Sequence, residues 1–516
     1  MNSKHLLLFL TGYVLLFFLF FQGYRYIIDP DATGYLSVAE QLARGNIYDS
    51  INGIWSPLNS WFLAPFIHFG FDGILTQKYL NGIYGLLCLT AYFYLIKKLH
   101  INYLIEIALM LSASLLILYF SFGRLFGDLL QVLFLLLYLN IVLSKNFSKN
   151  YKKIILAALI GGVGFYAKAY TLYFAIVHLP LIIYLSEKSS SVKINSLQTV
   201  KKIAVAVFVL LLTVSFWMIT LKTKYKDYIP AQKQITGTLS QQYNQPRVLF
   251  YAPPYKDGYS IIDDISYFQQ ETITPFTNSR LFVYQLKLVR ANFLQLLNSL
   301  NEFSFMLIMI ILIAFFVLNK FDQFARTRIV LLLSFIITWC CGFLFFHVEN
   351  RFLWIVPLSV LALAGIMLTE FLNSNYFKRQ YFILLTFLTA ASFSLYPVIE
   401  MKLNYGGGKN LFEIADAFKK NGIKGNILMA NQSNDDFSMS IIINYLSKCR
   451  HYGPFVRDYS TEEIMKGINA YDINYFILYY STHFQKELLL TGDLALHAAN
   501  IYKDIYPGVI VLSFTK

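Results

Sequence analysis

"LLLFLTGYVLLFFLFFQGYRYIIDPDATGYLSVAEQLARG", residues 6–45, decides how the chain is read. Its first part, 6–21, is an unbroken apolar run preceded by Lys4. No small-residue cleavage site follows, so an uncleaved first membrane span is expected in preference to a removed signal peptide. The chain then presents Asp29, Pro30 and Asp31 and passes into an amphipathic stretch, 33–44, whose Tyr35, Val38, Ala39 and Leu42 share one helical face. Gly45 stands where that helix should end. Two acids directly outside a membrane span ask for a reason.

Composition supplies the setting. The 516 residues are 57% hydrophobic, 17% aromatic and only 14% charged, with a mean hydropathy of +0.52. Soluble domains carry about a quarter charged residues, so this is an integral membrane protein. The formal charge of +14 comes mostly from short Lys/Arg clusters between apolar runs. That is the positive-inside pattern, and it argues against nucleic acid as a partner. Cys88, Cys340, Cys341 and Cys449 have no metal-ligand spacing, which excludes a zinc signature and a disulfide framework.

Candidate spans lie near 5–21, 79–96, 104–120, 128–144, 154–168, 170–185, 203–221, 303–318, 328–346, 352–371 and 381–399. The clusters at Lys97–Lys98, 145–153, 188–202, 320–328 and Lys378–Arg379 fall on one side, which should be cytoplasmic. With about eleven spans, the N-terminus is inside and the C-terminus outside, the plasma (inner) membrane of a bacterium being the expected location. The run 154–185 has basic segments at both ends, so it must be two short spans with a turn near Lys168. A lysine is costly in hydrocarbon and tolerable at such a turn.

Residues 22–78, 222–302 and the tail after Met401 are left on the outer side. The tail alternates strand-like "NILMA", "NYFILYY" and "GVIVLSF" with helical stretches, including one between the last two strands. The expected organisation is thus a polytopic α-helical membrane domain, 1–401, and a small extracytoplasmic α/β domain, 402–516. No glycine-rich phosphate loop occurs in the tail, which reads as an accessory module for acceptor binding.

Locally, Asp31 is a candidate helix cap and Asp-Pro-Asp a common turn. Position adds a second reading, because a carboxylate at the outer boundary meets a lipid head group and a water-borne acceptor together. Asp128 stands at the outer start of another span, either capping it or serving a site. Arg124 comes four residues earlier, apparent as a neighbour on the same face. Lys168 and the "HVENR" segment, with His347, Glu349 and Arg351, belong to the same side. Arg351 can equally be an interfacial anchor paired with Glu349. Carboxylates and cations facing one boundary suit sugar transfer from a polyprenyl phosphate, which needs a base for the acceptor hydroxyl and cations for the departing phosphate.

With these residues in place, the chain resembles the GT-C class of integral membrane glycosyltransferases, nearest to the protein mannosyltransferase and aminoarabinose transferase-like group. That group has Asp in the first outer loop, then Tyr four residues on, Ala eight on, Leu eleven on and Gly fourteen on. Asp31, Tyr35, Ala39, Leu42 and Gly45 stand at those spacings, while the Glu that usually follows the Asp is replaced by Ala32. "WSPLNSWFLAPF", "RLFGDLLQVLFLLLYL", "GVGFYAKAYTLYF" and "NRFLWIVPL" resemble later segments of the group, in order, and bring in Asp128, Lys168, Arg351 and Pro357. The resemblance implies a GT-C-like fold and inverting transfer from a polyprenyl-phosphate sugar to an extracytoplasmic protein, lipid or glycan. It implies Asp31 as base, with Asp29 as an extra acid and Asp128 helping to hold the acceptor. Lys168, Arg351, Arg124, Tyr35, Glu349 and His347 would bind substrate, and a divalent metal is left open. The rival readings are a polytopic transporter or flippase, a non-catalytic scaffold, and a lipid-linked polymer ligase or polymerase. No internal symmetry supports the first.

Overall fold

The computed structural model describes residues 3–189, 196–225, 250–267, 274–373, 378–429, 434–453, 461–479 and 496–514. The first span is α1, Ser3–Tyr24. It is followed by α2 (Pro30–Ala43), α3 (Ile47–Ser50) and α4 (Pro57–His68), with α2 packed on both of the others. The sequence places the start of α2 at Thr33, three residues late. Pro30 takes the first helical position, and Asp29, not Asp31, is the cap, its Oδ1 accepting from Ala32 N at 3.2 Å. Gly45, with φ of +85°, closes the helix as expected.

The bundle continues with α5 (Gly73–Lys98), α6 (Tyr103–Gly123), α7 (Asp128–Val142), α8 (Tyr151–Ala167), α9 (Tyr170–Lys188) and α10 (Ser196–Tyr225). After the segment 250–267 come α11 (Ser279–Phe303), α12 (Leu307–Val317), α13 (Gln323–Phe343), α14 (Ile355–Asn373) and α15 (Arg379–Asn404). Among the described residues eight helices are long and apolar enough to cross a membrane, or nine if the α11–α12 pair, bent by 100°, is one span. That is fewer than the eleven runs read from hydropathy. The shortfall lies at α7, α8 and α12, which have 15, 17 and 11 residues. α8 and α9 break at Lys168, where the chain turns as the basic flanks require.

The tail holds α16 (Lys409–Lys420), β1 (Asn426–Met429), α17 (Asn434–Ser447), β2 (Arg450–His451), α18 (Thr461–Ala470), β3 (Tyr475–Tyr479), β4 (Asn500–Tyr506) and β5 (Val509–Ser513). The sheet order is β2-β1-β3-β5-β4, parallel among β2, β1 and β3 and antiparallel across β3-β5 and β5-β4. β2 and β4 are strands that the sequence reading missed. The helix expected between the last two long strands falls mostly on residues outside those described. Strand alternation sorts the two faces. Ile427, Met429, Ile477, Val509 and Val511 join a core with Leu411, Ile414 and Phe418 that runs into the bundle. Leu428, Phe476, Leu478, Ile510 and Leu512 form a second core with Ile464, Ile468 and Phe250. α17 packs on α2, so the tail is docked on the helix that carries Asp31.

Candidate functional site

The acids and cations gather at the end of the bundle where α1 finishes and α5 begins. Asp31, in the first turn of α2, accepts a hydrogen bond from Arg351 Nη2 at 2.8 Å. Arg351 sits in the short 3₁₀ turn Asn350–Leu353 that opens α14, and its Nε lies 2.5 Å from Glu349 Oε2. His347 Nε2 is in turn 3.2 Å from Glu349 Oε1. Burial works to raise the Glu349 carboxyl, but the His347 bond and the Arg351 charge outweigh it and hold it down to about 2. Arg351 therefore bridges Asp31 and Glu349, and the anchor reading and the site reading describe the same residue.

Asp128 begins α7 and is 1% exposed. Its Oδ1 accepts from Lys168 Nζ at 2.8 Å, while Oδ2 is buried with no hydrogen-bond partner among the described residues. Gly127 makes the pairing fit. A Cβ there would lie 2.7 Å from the Ala167 carbonyl oxygen, a backbone atom that cannot swing aside. The two ion pairs meet through aromatic rings. Phe126 lies 4.7 Å from the Arg351 guanidinium and 5.6 Å from the Lys168 ammonium, and Phe352 lies 5.1 and 5.5 Å from the same two groups. Tyr35 is 2% exposed beneath them, packed on Trp55 and Phe126, so it supports the cluster from below.

Arg124 corrects the sequence reading. The chain is extended there between α6 and α7, so it shares no helical face with Asp128. Its guanidinium lies 3.9 Å from Asp29 instead. Burial pushes the Asp29 carboxyl up to about 7, against the pull of Arg124. Lys78, which the sequence reading left unremarked at the end of the outer segment 22–78, is buried and donates to the carbonyls of Tyr24 (2.9 Å) and Ile27 (2.6 Å), fixing the approach to Asp29.

Beside this cluster is a cavity of about 750 Å³ that Arg124, His347, Glu349 and Arg351 line on one side. Tyr119, Glu302, Trp354, Tyr396 and Glu400 are also on its wall. Asp29, Asp31 and Asp128 are not on its wall; they stand behind its cations. Sequence could not flag Glu302, Tyr396 or Glu400, since each is a single polar residue in a helix with no motif around it. Among the described residues no group of three or more His, Cys, Asp or Glu side chains converges as a metal's donor set. Among the described residues the three aspartates are each answered by Arg or Lys.

A second polar cluster, unforeseen, holds α2 at its other end. Glu40 accepts from Tyr445 (2.6 Å), Tyr259 (2.7 Å), Lys448 (2.9 Å) and Arg44 (3.0 Å). Burial opposes its charge, but the Lys448 ammonium and these bonds prevail and keep it below the usual carboxylate range.

No family profile and no curated protein sequence matches this chain. Solved structures do match its fold. ArnT from Cupriavidus metallidurans bound to undecaprenyl phosphate aligns with a TM-score of 0.54 at 11% identity, over 100% of this chain and 99% of that one. The same protein in its apo state gives 0.50 at 10% identity, with 98% of each chain covered. The apo oligosaccharyltransferase of Archaeoglobus fulgidus gives 0.51 at 10% identity, over 94% of this chain and 70% of that one. By these alignments this integral membrane protein has the fold of the GT-C glycosyltransferases.

Proposed function

We propose that the protein is a membrane glycosyltransferase that takes a sugar from a polyprenyl-phosphate donor and passes it, with inversion, to an acceptor on the extracytoplasmic side. The observation that carries this is the Arg351–Asp31 contact of 2.8 Å at the edge of a polar cavity. Arg351 and Arg124 supply charge-assisted donors for a phosphate, and Asp31 supplies a base that arrival of that phosphate would release from Arg351. The acceptor hydroxyl gives its proton to Asp31 as its oxygen attacks the anomeric carbon. The anomeric bond to phosphate breaks with its electrons on the phosphate oxygen, which the arginines stabilise. Asp128 Oδ2, buried with no hydrogen-bond partner among the described residues, is an acceptor position that a substrate hydroxyl would satisfy only on displacing the cation in front of it. The ArnT structure bound to undecaprenyl phosphate supports a lipid phosphate in such a fold. The C-terminal sheet would lie outside the membrane and cover the acceptor.

The test is turnover. Purified protein in nanodiscs is incubated with labelled polyprenyl-phosphate sugars, and loss of lipid-linked label is followed with wild type and Asp31→Asn. Consumption by wild type alone supports the reading, whereas equal rates in both proteins, or transport of intact donor, would overturn it. Alkaline phosphatase fused at the C-terminus should be active if the tail is extracytoplasmic.

A further inference from the structure

α11 differs from its neighbours in composition. Its 25 residues contain Arg280, Lys287 and Arg290 and a single acid, Glu302, at the far end. Phe282, Val283, Leu286, Phe293 and Leu294 lie on one arc of the helix and are 44–55% exposed. Phe276, just before the helix, is 84% exposed and close to Phe282. The three cations are exposed at and beside this arc and make no ion pair among the described residues.

Geometry says where the helix lies. α12, "LIMIILIAFFV", is wholly apolar, and α11 meets it at 100°. The bend is held in place: Ser304 N donates to Leu300 O, Ser304 shares a hydrogen bond with Ser392, and Phe303 is fully buried against Tyr396. α12 packs on α14, which is long and apolar enough to span, and a helix at right angles to that packing direction runs along the membrane surface. The opposite side of α11 is occupied by protein, with Leu281, Leu296 and Leu300 buried there. Gln285 and Asn292 donate to the carbonyls of Phe345 and Leu344 at 3.0 Å, and Asn292 and Gln295 line the cavity.

We infer that α11 is an interfacial helix seated on anionic phospholipid. Its phenylalanines and leucines enter the acyl boundary while Arg280, Lys287 and Arg290 engage head-group phosphates. An exposed apolar face edged by cations on a helix of low net hydrophobicity is the pattern such a surface selects. The helix then forms the partition between the leaflet and the cavity. This needs no assumption about the reaction, so it can fail while the proposed transfer stands, and the reverse.

Spin labels test it in the full-length protein in nanodiscs. Leu286→Cys, Phe293→Cys and Gln295→Cys are made on a Cys341→Ser background, the other three cysteines being buried and Gln295 lining the cavity. The ratio of oxygen to nickel-chelate accessibility should be higher at 286 and 293 than at 295. Labels at 286 and 293 that are open to the nickel chelate, or closed to both reagents, would overturn the inference, the second result meaning that protein covers this face. Replacing part of the phosphatidylcholine by phosphatidylglycerol should move both labels deeper, and R280Q/K287Q/R290Q should abolish that shift. If only polyprenyl phosphate produces the shift, the assignment to bulk phospholipid is overturned.

Discussion

Arg351 and Asp31 are 320 positions apart and meet at 2.8 Å. The arginine holds the acid in place and masks its charge until another anion takes the guanidinium. Asp31→Asn should therefore lower transfer about a hundred- to ten-thousandfold while the protein remains folded and inserted, since that is the usual worth of a general base. Arg351→Gln should weaken binding of a polyprenyl phosphate in a direct binding assay. Unchanged donor affinity would leave Arg351 only its anchoring role.

Lys168 and Asp128 form a largely buried pair, 20% and 1% exposed at their side chains. Removing one partner strands the other, so Lys168→Met should destabilise the protein by about 3–5 kcal/mol. Lys168→Met/Asp128→Leu should recover much of that stability, because an apolar pair replaces a half-broken ionic one. If Asp128 holds a substrate hydroxyl, the double variant will be stable and poorly active. Thermal unfolding and turnover on the same samples separate the two effects.

Asp29 gives a pH signature. In the unfolded chain its carboxyl releases its proton near 3.8, and in the folded protein only near 7. Between those values the folded state binds more protons, so its stability falls as pH rises through that window and levels off above it. Asp263, likewise raised by burial to about 7, contributes to the same slope. Asp29→Asn should flatten the dependence of Tm on pH in this window without removing it, and an unchanged slope would count against a buried, protonated Asp29. Its effect on turnover should be far smaller than that of Asp31→Asn.

Glu40 ties α2 to the tail through Tyr445 and Lys448. Tyr445→Phe should cost about 1.5–3 kcal/mol, the usual worth of a hydrogen bond to a charged group. Glu40→Gln should cost about 1–3 kcal/mol, because it also leaves Lys448 and Tyr259 facing a weaker acceptor. A double-mutant cycle between Glu40→Gln and Lys448→Met measures the coupling, and additive effects would show that the ion pair is inert.

Much of the architecture was legible in the chain because hydropathy, capping and turn chemistry are local. The long apolar runs, the break at Lys168, the helix ending at Gly45 and the gathering of polar groups at one end of the bundle all follow from neighbours in sequence. Local chemistry also misled: Pro30 made Asp29 the cap, and the extended backbone at Arg124 separated it from Asp128. Tertiary structure alone decided the partners. Whether Arg351 faces Asp31, whether Phe126 and Phe352 lie between two cations, and whether Tyr445 reaches Glu40 all depend on which helices lie side by side. Every apolar helix offers lipid and protein a similar surface, so no local pattern names its neighbour. That choice is made by the packing of the whole bundle, where buried charges must find one another.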